Sequence, residues 1–371
     1  MKQVKAGILT FHRARNIGTC LQAYALQTYL ESKNVDVEII DYKPAYIEDS
    51  FGLFPANLIA EYKGVRKLLC FMKLLYKVPY NIRRESKFKS FRNKYYKLSK
   101  RQYNRFEDFQ DVGNDYSHSF YGSDQIWNPN ITYGLDPVFF GAFKGKRPVV
   151  ASYAASIGLA EIPEEYVDDM SRMVSDMDFV GVREVTAKKV LDAVIDKEIY
   201  VNADPTLLIS KGQWEKIASP VECKDKYIFV YALEINDNLI QAARELSEKE
   251  GLDIVFTDMK NRYGKRAHSR YTCDPSEFIS YIKNAEYVIT NSFHGTVFSI
   301  IFEKKFLTIL HKTRGSRLID LLTELNLDTR IIQSPKELEV VYEDIDYLSV
   351  KDKIKEKASL SESYIQKVLE K

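Results

Sequence analysis

The sequence of 371 residues predicts an α/β protein built from two Rossmann-like domains that face each other across a cleft. Short apolar runs of strand length alternate with segments of helical periodicity in both halves of the chain, which is typical of parallel sheets covered by helices. Residues 206–225 show little periodicity and are predicted to link the two halves. The chain is long enough to form two hydrophobic cores.

The first domain is predicted over residues 1–205 and begins with a β-α-β unit. Apolar strand runs at Val4–Thr10 and Val35–Ile40 flank a helix at Cys20–Leu30. The same alternation resumes further along the chain with three more strands and two more helices. In chain order, these elements are Ser119–Tyr121, Pro148–Tyr153, Glu164–Met177, Phe179–Val182 and Glu184–Val194.

Residues 58–105 are predicted to be a basic helical insertion in the first domain. Between residues 62 and 105 there are 15 Lys or Arg and one acid, Glu85, with apolar residues interleaved at helical spacing. One interpretation is a helix that simply faces water. The other is an electrostatic platform for an acidic acceptor or for a membrane surface that carries anionic lipid. Both interpretations stay open at this point.

The second domain is predicted over residues 226–345, and a tail helix over 346–371 is expected to pack back on the body. The tetrad Asp274-Pro275-Ser276-Glu277 predicts a helix start, with an N-cap, a proline at the first position and a glutamate at the third. A polar loop is predicted over Asn261–Thr272. The other elements are Tyr227–Leu233, Asn238–Glu250, Leu252–Thr257, Tyr287–Ile289, Phe306–Leu310 and Ser316–Leu325.

Composition and missing motifs exclude several classes of protein. A net charge of +2 argues against nucleic-acid binding. The four cysteines are far apart, which is typical of reduced thiols and not of a zinc site. Neither the glycine-rich dinucleotide fingerprint nor the P-loop pattern occurs. Because the apolar run at the N-terminus is short and contains Lys5, we expect a cytoplasmic protein, with peripheral contact at the inner membrane face as the open alternative.

The most informative motif is the tetrad Ser292-Phe293-His294-Gly295. It lies between the apolar runs Tyr287–Ile289 and Val297–Phe302, which predicts a strand, a tight turn and a helix start. The N-terminus of a helix favours an anion because its first N–H groups have no partner within the helix. A histidine in that turn can move a proton near neutral pH.

Several motifs together resemble the polysaccharide pyruvyl transferase family, and they occur in order between about residues 5 and 330. The first loop has Asn16-Ile17-Gly18 where the family often has Asn-Tyr-Gly. The matching motifs are Gly7–His12, Leu21–Gln27, Gly122–Asn128, Ala151–Ser156, Val182–Glu184, Ala203–Thr206, Asn291–Thr296 and Ser316–Leu318.

The resemblance implies a fold like that of the GT-B glycosyltransferases, with the acceptor on the first domain and the donor on the second. It also implies transfer of a pyruvyl group from phosphoenolpyruvate, as co-substrate, onto two hydroxyls of a sugar, which forms a cyclic ketal. The acceptor would be a polysaccharide or its lipid-linked precursor, such as a capsule or exopolysaccharide. No cofactor and no metal are expected.

On this basis the sequence predicts three groups of site residues. His294 is expected to act in acid–base catalysis, and Asp124 to orient or deprotonate the acceptor hydroxyl. Charged and N–H donors are expected around the phosphate and the carboxylate of the donor, since arginine matches both anions. The donor group is Arg183, Asn291, Ser292, Gly295, Lys312 and Arg317, and the acceptor group is Asn16, Gly18 and Gln125.

Two alternatives remain from the sequence. A glycosyltransferase of the same architecture that uses a nucleotide sugar would use the same anion-binding turn. A non-catalytic protein that binds glycans or membranes through residues 62–105 would not depend on His294.

Overall fold

A computed structural model of the chain describes residues 4–47, 64–109, 111–143, 146–222, 226–310 and 315–371. The chain divides into two compact units. The first contains Met1–Pro205 together with Ser361–Lys371, and the second contains Thr206–Leu360.

The first unit is built on a five-stranded parallel sheet in the order β3-β2-β1-β4-β5. Two shorter parallel strands, β6 and β7, continue from β5 through the bridges Ala151↔Phe179 and Ala155↔Val182. The strands are β1 Lys5–Leu9, β2 Asp36–Tyr42, β3 Leu98–Tyr103, β4 His118–Tyr121, β5 Val149–Ser152, β6 Val180–Val182 and β7 Ile199–Val201.

Helices connect these strands as crossovers, as parallel neighbours require. The helix after β1 is buried on most of its surface, as its apolar sequence predicts. The helices are α1 Ile17–Ser32, α2 Gly64–Tyr95, α3 Val112–Asp115, α4 Pro129–Thr132, α5 Val167–Ser175 and α6 Val185–Asp192, with 3₁₀ turns at Phe106–Phe109, Pro137–Phe140 and Glu164–Tyr166.

The predicted basic insertion is part of the sheet. Its end, β3, pairs in parallel with β2, with Ile39 opposite Leu98 and Tyr42 opposite Tyr103. Helix α2 is therefore the crossover between β2 and β3, while residues 58–63 are not among those described. The strand was missed because it lies at the sheet edge and carries Lys100 and other polar residues in place of an apolar run.

The second unit repeats the topology with a five-stranded parallel sheet in the order β10-β9-β8-β11-β12. Its edge strand β10 lies inside the predicted polar loop Asn261–Thr272. The two Rossmann-type sheets confirm the predicted fold class. The strands are β8 Tyr227–Tyr231, β9 Asp253–Phe256, β10 Ala267–Ser269, β11 Tyr287–Thr290 and β12 Lys305–Thr308.

Six helices are described from residue 206 onward. None of the helices within the described ranges has both the length and the apolar content needed to cross a membrane. The six are α7 Lys211–Ile217, α8 Asp237–Glu250, α9 Pro275–Asn284, α10 Phe293–Ile301, α11 Ser316–Glu324 and α12 Tyr347–Leu369, with 3₁₀ turns at Pro205–Leu207, Asp328–Arg330 and Pro335–Tyr342.

The segment 206–225, predicted as a linker, contains helix α7 and belongs to the second unit. A reciprocal cap between Ser210 and Gln213 starts the helix. Trp214 is fully buried, donates from its indole to the Thr206 carbonyl at 3.2 Å and packs edge-on against Phe298. A seven-residue helix with one large buried side chain is too short to show a helical period in the sequence.

Helix α12 contributes to both units. Near its start, the Tyr347 hydroxyl donates to the Lys304 carbonyl at 2.5 Å. Beyond residue 360 the helix packs on the first unit, where the Tyr364 hydroxyl donates to the Ser152 carbonyl at 2.5 Å and Ser361 Oγ accepts from Ala203 N at 2.8 Å.

Candidate functional site

Each sheet has one switch point, where the chain crosses from one side of its first strand to the other. These points lie between β1 and β4 in the first unit and between β8 and β11 in the second. Ligands of open α/β sheets bind beyond the carboxyl ends of the strands at such points. Asp124 follows β4 and His294 follows β11, so each predicted catalytic residue lies at the switch point of its own unit.

The turn after β11 is held by hydroxyl groups. Thr290 Oγ1 donates to the Tyr231 carbonyl at 2.6 Å and accepts from Ser292 N at 3.0 Å. Ser292 is the N-cap of α10, and its Oγ accepts from Gly295 N at 3.3 Å. These bonds fix the first turn of α10 against the ends of two strands.

Gly295 is required by close packing. A Cβ at this position would lie 2.2 Å from Thr290 Oγ1, which is closer than real side chains come, and in a tight contact of 3.1 Å with Tyr231 Cδ1. The absence of a side chain therefore lets the start of α10 approach β11 and β8.

His294 is buried, with 7% of its surface exposed, and its ring contacts the Phe293 ring edge-on at 5.3 Å between centroids. The guanidinium of Arg317, in the first turn of α11, lies 5.9 Å from the Phe293 centroid. Two predicted site residues, His294 and Arg317, thus both contact the Phe293 ring. The positive end of the α10 dipole adds to the charge of Arg317 there.

Asn291 holds the loop after β8. Its Oδ1 accepts from Leu233 N and its Nδ2 donates to the Glu234 carbonyl, both at 2.8 Å. The described bonds of this predicted donor residue are therefore structural. Lys312 falls in a stretch, 311–314, that the structure does not describe.

The turn after β4 carries Asp124, which is partly buried. Its Oδ2 accepts from Thr19 Oγ1 at 2.5 Å and its Oδ1 accepts from Gln125 N at 2.8 Å. Gly122 in the same turn has a φ of 136°, and a Cβ there would meet the Tyr153 carbonyl at 2.1 Å. The turn therefore presents the Asp124 carboxylate in one orientation.

Helix α1 brings the predicted acceptor loop to this carboxylate. Asn16 caps α1 by accepting from Thr19 N at 3.3 Å, and Gly18 is buried in the first turn. Thr19 joins the loop to Asp124, and sequence reasoning missed it because a threonine in a first helical turn has no distinguishing pattern. Gln125 is buried, and its Oε1 accepts from Asn128 Nδ2 at 2.9 Å, so its described bonds are local.

Arg183 lies in a buried ion-pair network and not at an open surface. Its side chain is 2% exposed, Nε donates to Glu184 Oε1 at 3.0 Å, and one terminal nitrogen donates to Asp204 Oδ2 at 3.0 Å. The same nitrogen donates to the Ser123 carbonyl at 2.9 Å. The described bonds of the Arg183 guanidinium hold the turn before Asp124, and its contact with the donor stays a prediction.

The charges around Arg183 explain its protonation. Burial alone would lower the pKa of the guanidinium, but the carboxylates of Glu184, Asp204 and Asp124 raise this pKa above its ordinary value. Glu184 also accepts from Ser156 Oγ at 2.7 Å. The cation is thus kept in the core of the first unit by acids on both sides.

A second polar cluster lies at the carboxyl ends of β1 and β2. His12 Nε2 is 3.0 Å from Asp41 Oδ1, and Arg13 Nε donates to the same oxygen at 2.6 Å. Burial lowers the pKa of His12 despite its bond to Asp41. Burial alone would raise the pKa of Asp41, yet the hydrogen bonds from His12 and Arg13 lower it to about 2. Within the described ranges, no three His, Cys, Asp or Glu side chains are placed to hold a metal ion.

Comparisons with known proteins agree with this architecture. The family model for polysaccharide pyruvyl transferase matches residues 16–313. UDP-N-acetylglucosamine 2-epimerase from Rickettsia bellii is similar in structure with a TM-score of 0.53 at 10% identity, covering 99% of this chain and 96% of that one. Another solved UDP-N-acetylglucosamine 2-epimerase gives 0.53 at 11% identity, covering 99% and 95%. At these identities the likeness concerns the fold alone, and it confirms the GT-B-like class. No curated protein matches the sequence significantly.

Proposed function

The chain belongs to the polysaccharide pyruvyl transferase family, and we propose that it moves the pyruvyl group of phosphoenolpyruvate onto two hydroxyls of one sugar. The sugar belongs to a polysaccharide or to its lipid-linked precursor, and the product is a cyclic ketal. The observation that supports this proposal best is that His294 and the Arg317 guanidinium both contact the Phe293 ring at the start of α10.

The donor is expected at this helix start. Phosphoenolpyruvate carries a phosphate and a carboxylate on a three-carbon frame, and each needs a cation or an N–H donor. The α10 N-terminus supplies a partial positive charge. Arg317 supplies a planar guanidinium that lies 5.9 Å from the centroid of the Phe293 ring at this helix start. Lys312, close to Arg317 in the sequence, is kept as a proposed further cation.

The reaction balances without an oxidant or reductant. A proton adds to the methylene carbon of phosphoenolpyruvate, and the central carbon gains cationic character. One sugar hydroxyl attacks this carbon and loses its proton, phosphate leaves, and a neighbouring hydroxyl closes the ring with loss of a second proton. The two hydroxyl groups release two protons. One makes up for the proton that was added to the methylene carbon, and the other ends on the released phosphate.

His294 is proposed to carry the proton in these steps. It is the histidine beside the proposed anion site, and Phe293 and the Ser292 cap restrict its position. General acid–base catalysis contributes about 10²–10⁴ in rate. We propose that the chemistry needs no metal and no cofactor.

Asp124 is proposed to orient the acceptor hydroxyl or to accept its proton. Thr19 and the backbone of Gln125 hold the carboxylate, and Asn16 and Gly18 form the neighbouring start of α1. Because two hydrogen-bond donors hold the carboxylate, it can position a hydroxyl group of the acceptor sugar in one orientation.

The test is phosphate release from phosphoenolpyruvate, screened against hexose and N-acetylhexosamine acceptors in the presence of a chelator. We expect release that requires an acceptor, with one ketal formed per phosphate. Phosphoenolpyruvate should also raise the melting temperature, while nucleotide sugars should not. Stabilisation by a nucleotide sugar, with no ketal formed from any acceptor, would favour the glycosyltransferase alternative and overturn the proposal.

A further inference from the structure

The first half of α2 exposes a row of large apolar side chains to solvent. An apolar surface of this kind on one helix face is typical of an interaction site. The residues, here called the α2 outer face, are Met72 (58% exposed), Leu75 (44%), Tyr76 (67%), Tyr80 (42%) and Ile82 (52%).

The opposite face of α2 anchors the helix to the first unit. Phe88, Phe91 and Arg92 are buried, and the Phe91 ring packs edge-on against Tyr24 of α1 at 6.5 Å between centroids. Residues three and four apart lie on one face of a helix. Met72, Leu75 and Ile82 follow this spacing and lie away from the anchored face. Tyr80 lies nearer to the side of Phe91, and its ring is 5.9 Å from that of Tyr76.

The charge of α2 narrows the choice of partner. The helix contains ten Lys or Arg residues and one acid, Glu85. Lys77 and Arg83 are exposed within the same stretch as the outer face. Because two copies of so basic a helix repel each other, the outer face is not suited to pair with itself. A partner with negative charge and an apolar phase fits both properties.

We propose that the α2 outer face docks on the surface of an anionic lipid bilayer. Helices that lie in a membrane interface place apolar side chains among the acyl chains and Lys or Arg at the anionic headgroups. A soluble acidic polymer would satisfy the charges of Lys77 and Arg83 but would leave the apolar row exposed. This proposal does not depend on the proposed chemistry, although it would place the protein near lipid-linked sugars.

Vesicle co-sedimentation with the full chain tests the apolar contribution. At about 0.15 M salt, we expect binding to phosphatidylcholine vesicles that contain phosphatidylglycerol, and little binding to phosphatidylcholine alone. Loss of one buried aliphatic side chain corresponds to roughly 10- to 100-fold in affinity, so Leu75→Glu and Ile82→Glu should each weaken binding by at least this amount. Leu348→Glu and Leu360→Glu on α12, at 75% and 64% exposed, are the matched controls and should bind as the parent protein does.

Charge reversal tests the electrostatic contribution. Each basic residue at an anionic surface is worth roughly fivefold in affinity, so the double variant Lys77→Glu/Arg83→Glu should lose more than 25-fold, about fivefold for each removed charge, and more for each added acid. Lys355→Glu, an exposed change on α12, is the control. Melting temperatures of all these variants should stay near that of the parent, because the altered side chains are exposed.

An introduced tryptophan reports insertion directly. The two natural tryptophans, Trp127 and Trp214, are fully buried, so their emission should not respond to vesicles. Leu75→Trp should shift its emission to shorter wavelength when phosphatidylglycerol vesicles are added, and Leu360→Trp should not.

Three results of these experiments would overturn the proposal. They are a parent protein that does not bind these vesicles, a Leu75→Glu variant that binds them equally well, and a soluble acidic polysaccharide that shifts the emission of Leu75→Trp as far as vesicles do. Sedimentation showing a dimer that Leu75→Glu dissociates would also overturn it. Pyruvyl transfer to a soluble acceptor should be unchanged in Leu75→Glu, which separates this proposal from the proposed function.

Discussion

The two units place different chemistry at the same point of the same topology. The turn after β4 presents the carboxylate of Asp124, backed by the buried Arg183 network. The turn after β11 carries His294 and Phe293, whose ring also contacts the Arg317 guanidinium, and hydroxyl groups such as Thr290 hold the turn in place. Strand order therefore puts the two turns at equivalent points. Under the proposed function, the side chains in each turn set whether the ligand is an anion or a hydroxyl group.

The two turns also differ in what stabilises them. The Arg183 network contains three charged groups removed from water. The α10 side relies on neutral pairs, including Thr296 and Thr308, whose hydroxyl oxygens lie 2.9 Å apart. Removing one member of a buried ion pair leaves an uncompensated charge, whereas losing a neutral bond costs much less. Substitution of Arg183, behind the first turn, should thus act on stability, whereas substitution of His294 in the second turn should act on turnover.

The largest effect is expected from His294→Gln, which keeps the size of the side chain but cannot exchange a proton near neutral pH. We expect turnover to fall by about 10²–10⁴ with an unchanged melting temperature. His268→Gln, whose side chain is 47% exposed, is the control. Near-normal turnover would exclude an acid–base role for His294.

Arg183→Met should mainly destabilise the fold. Glu184 and Asp204 would be left buried without their cation, at a cost of about 3–5 kcal/mol in the free energy of unfolding. Urea denaturation measures this loss, and Arg172→Met, which breaks an exposed pair with Asp169, should leave the midpoint unchanged. An Arg183→Met protein of normal stability but with a raised KM for phosphoenolpyruvate would support the predicted donor role and contradict a purely structural role for Arg183.

Arg317→Met should weaken donor binding. Charge-assisted hydrogen bonds contribute about 1.5–3 kcal/mol, so KM for phosphoenolpyruvate should rise roughly 10- to 100-fold with a smaller change in kcat. Initial rates over a range of phosphoenolpyruvate concentrations give both constants. Arg244→Met on the exposed side of α8 serves as the control, and an equal KM in the two variants would remove Arg317 from the donor site.

The smallest effect concerns acid stability through the His12–Asp41 cluster. The pKa of Asp41 in the folded protein, about 2, is below its ordinary value of 3.8, so this stabilisation is present above about pH 4 and is lost as the pH falls towards 2. The pKa of His12 is also below its ordinary value of 6.5, so its contribution begins to be lost as the pH falls below 6.5. The free energy of unfolding of the parent protein should fall between pH 4 and pH 2, and we expect this fall to be smaller by about 1–2 kcal/mol in Asp41→Asn.

Urea unfolding at a series of pH values measures this difference. Asp169→Asn, an exposed acid on α5, should keep the slope of the parent protein. An Asp41→Asn protein with the same slope would show that the cluster does not affect acid stability.

Apolar strands and polar strands differed in how well the sequence predicted them. The central strands β1, β8 and β11 are mainly apolar, because both faces of a parallel sheet are covered. The edge strands β3 and β10 were missed because they carry polar residues where the sheet meets water. Helix α7 was missed because its stability comes mainly from the burial of Trp214.

The sequence predicted the local features of the candidate site but not the contacts between residues that are distant in the chain. The tetrad at residues 292–295 identified the helix start because a serine cap and a glycine have local physical reasons visible in the sequence. Thr19 was not found, because its contact with Asp124 joins residues 105 positions apart. The partners of Arg183 could not be found for the same reason, since Asp204 and Ser123 reach it only through the sheet.

By itself, the sequence determined the alternation of strands and helices, the two-unit organisation and the turn that carries His294, because periodicity and capping are local properties of the chain. The tertiary structure decided which polar groups are buried in hydrogen-bonded or ion-paired networks of the core, and which lie beside the switch points. That decision depends on desolvation and on contacts between distant segments: Arg183 became a buried structural cation, and Arg317 came to lie over the ring next to His294.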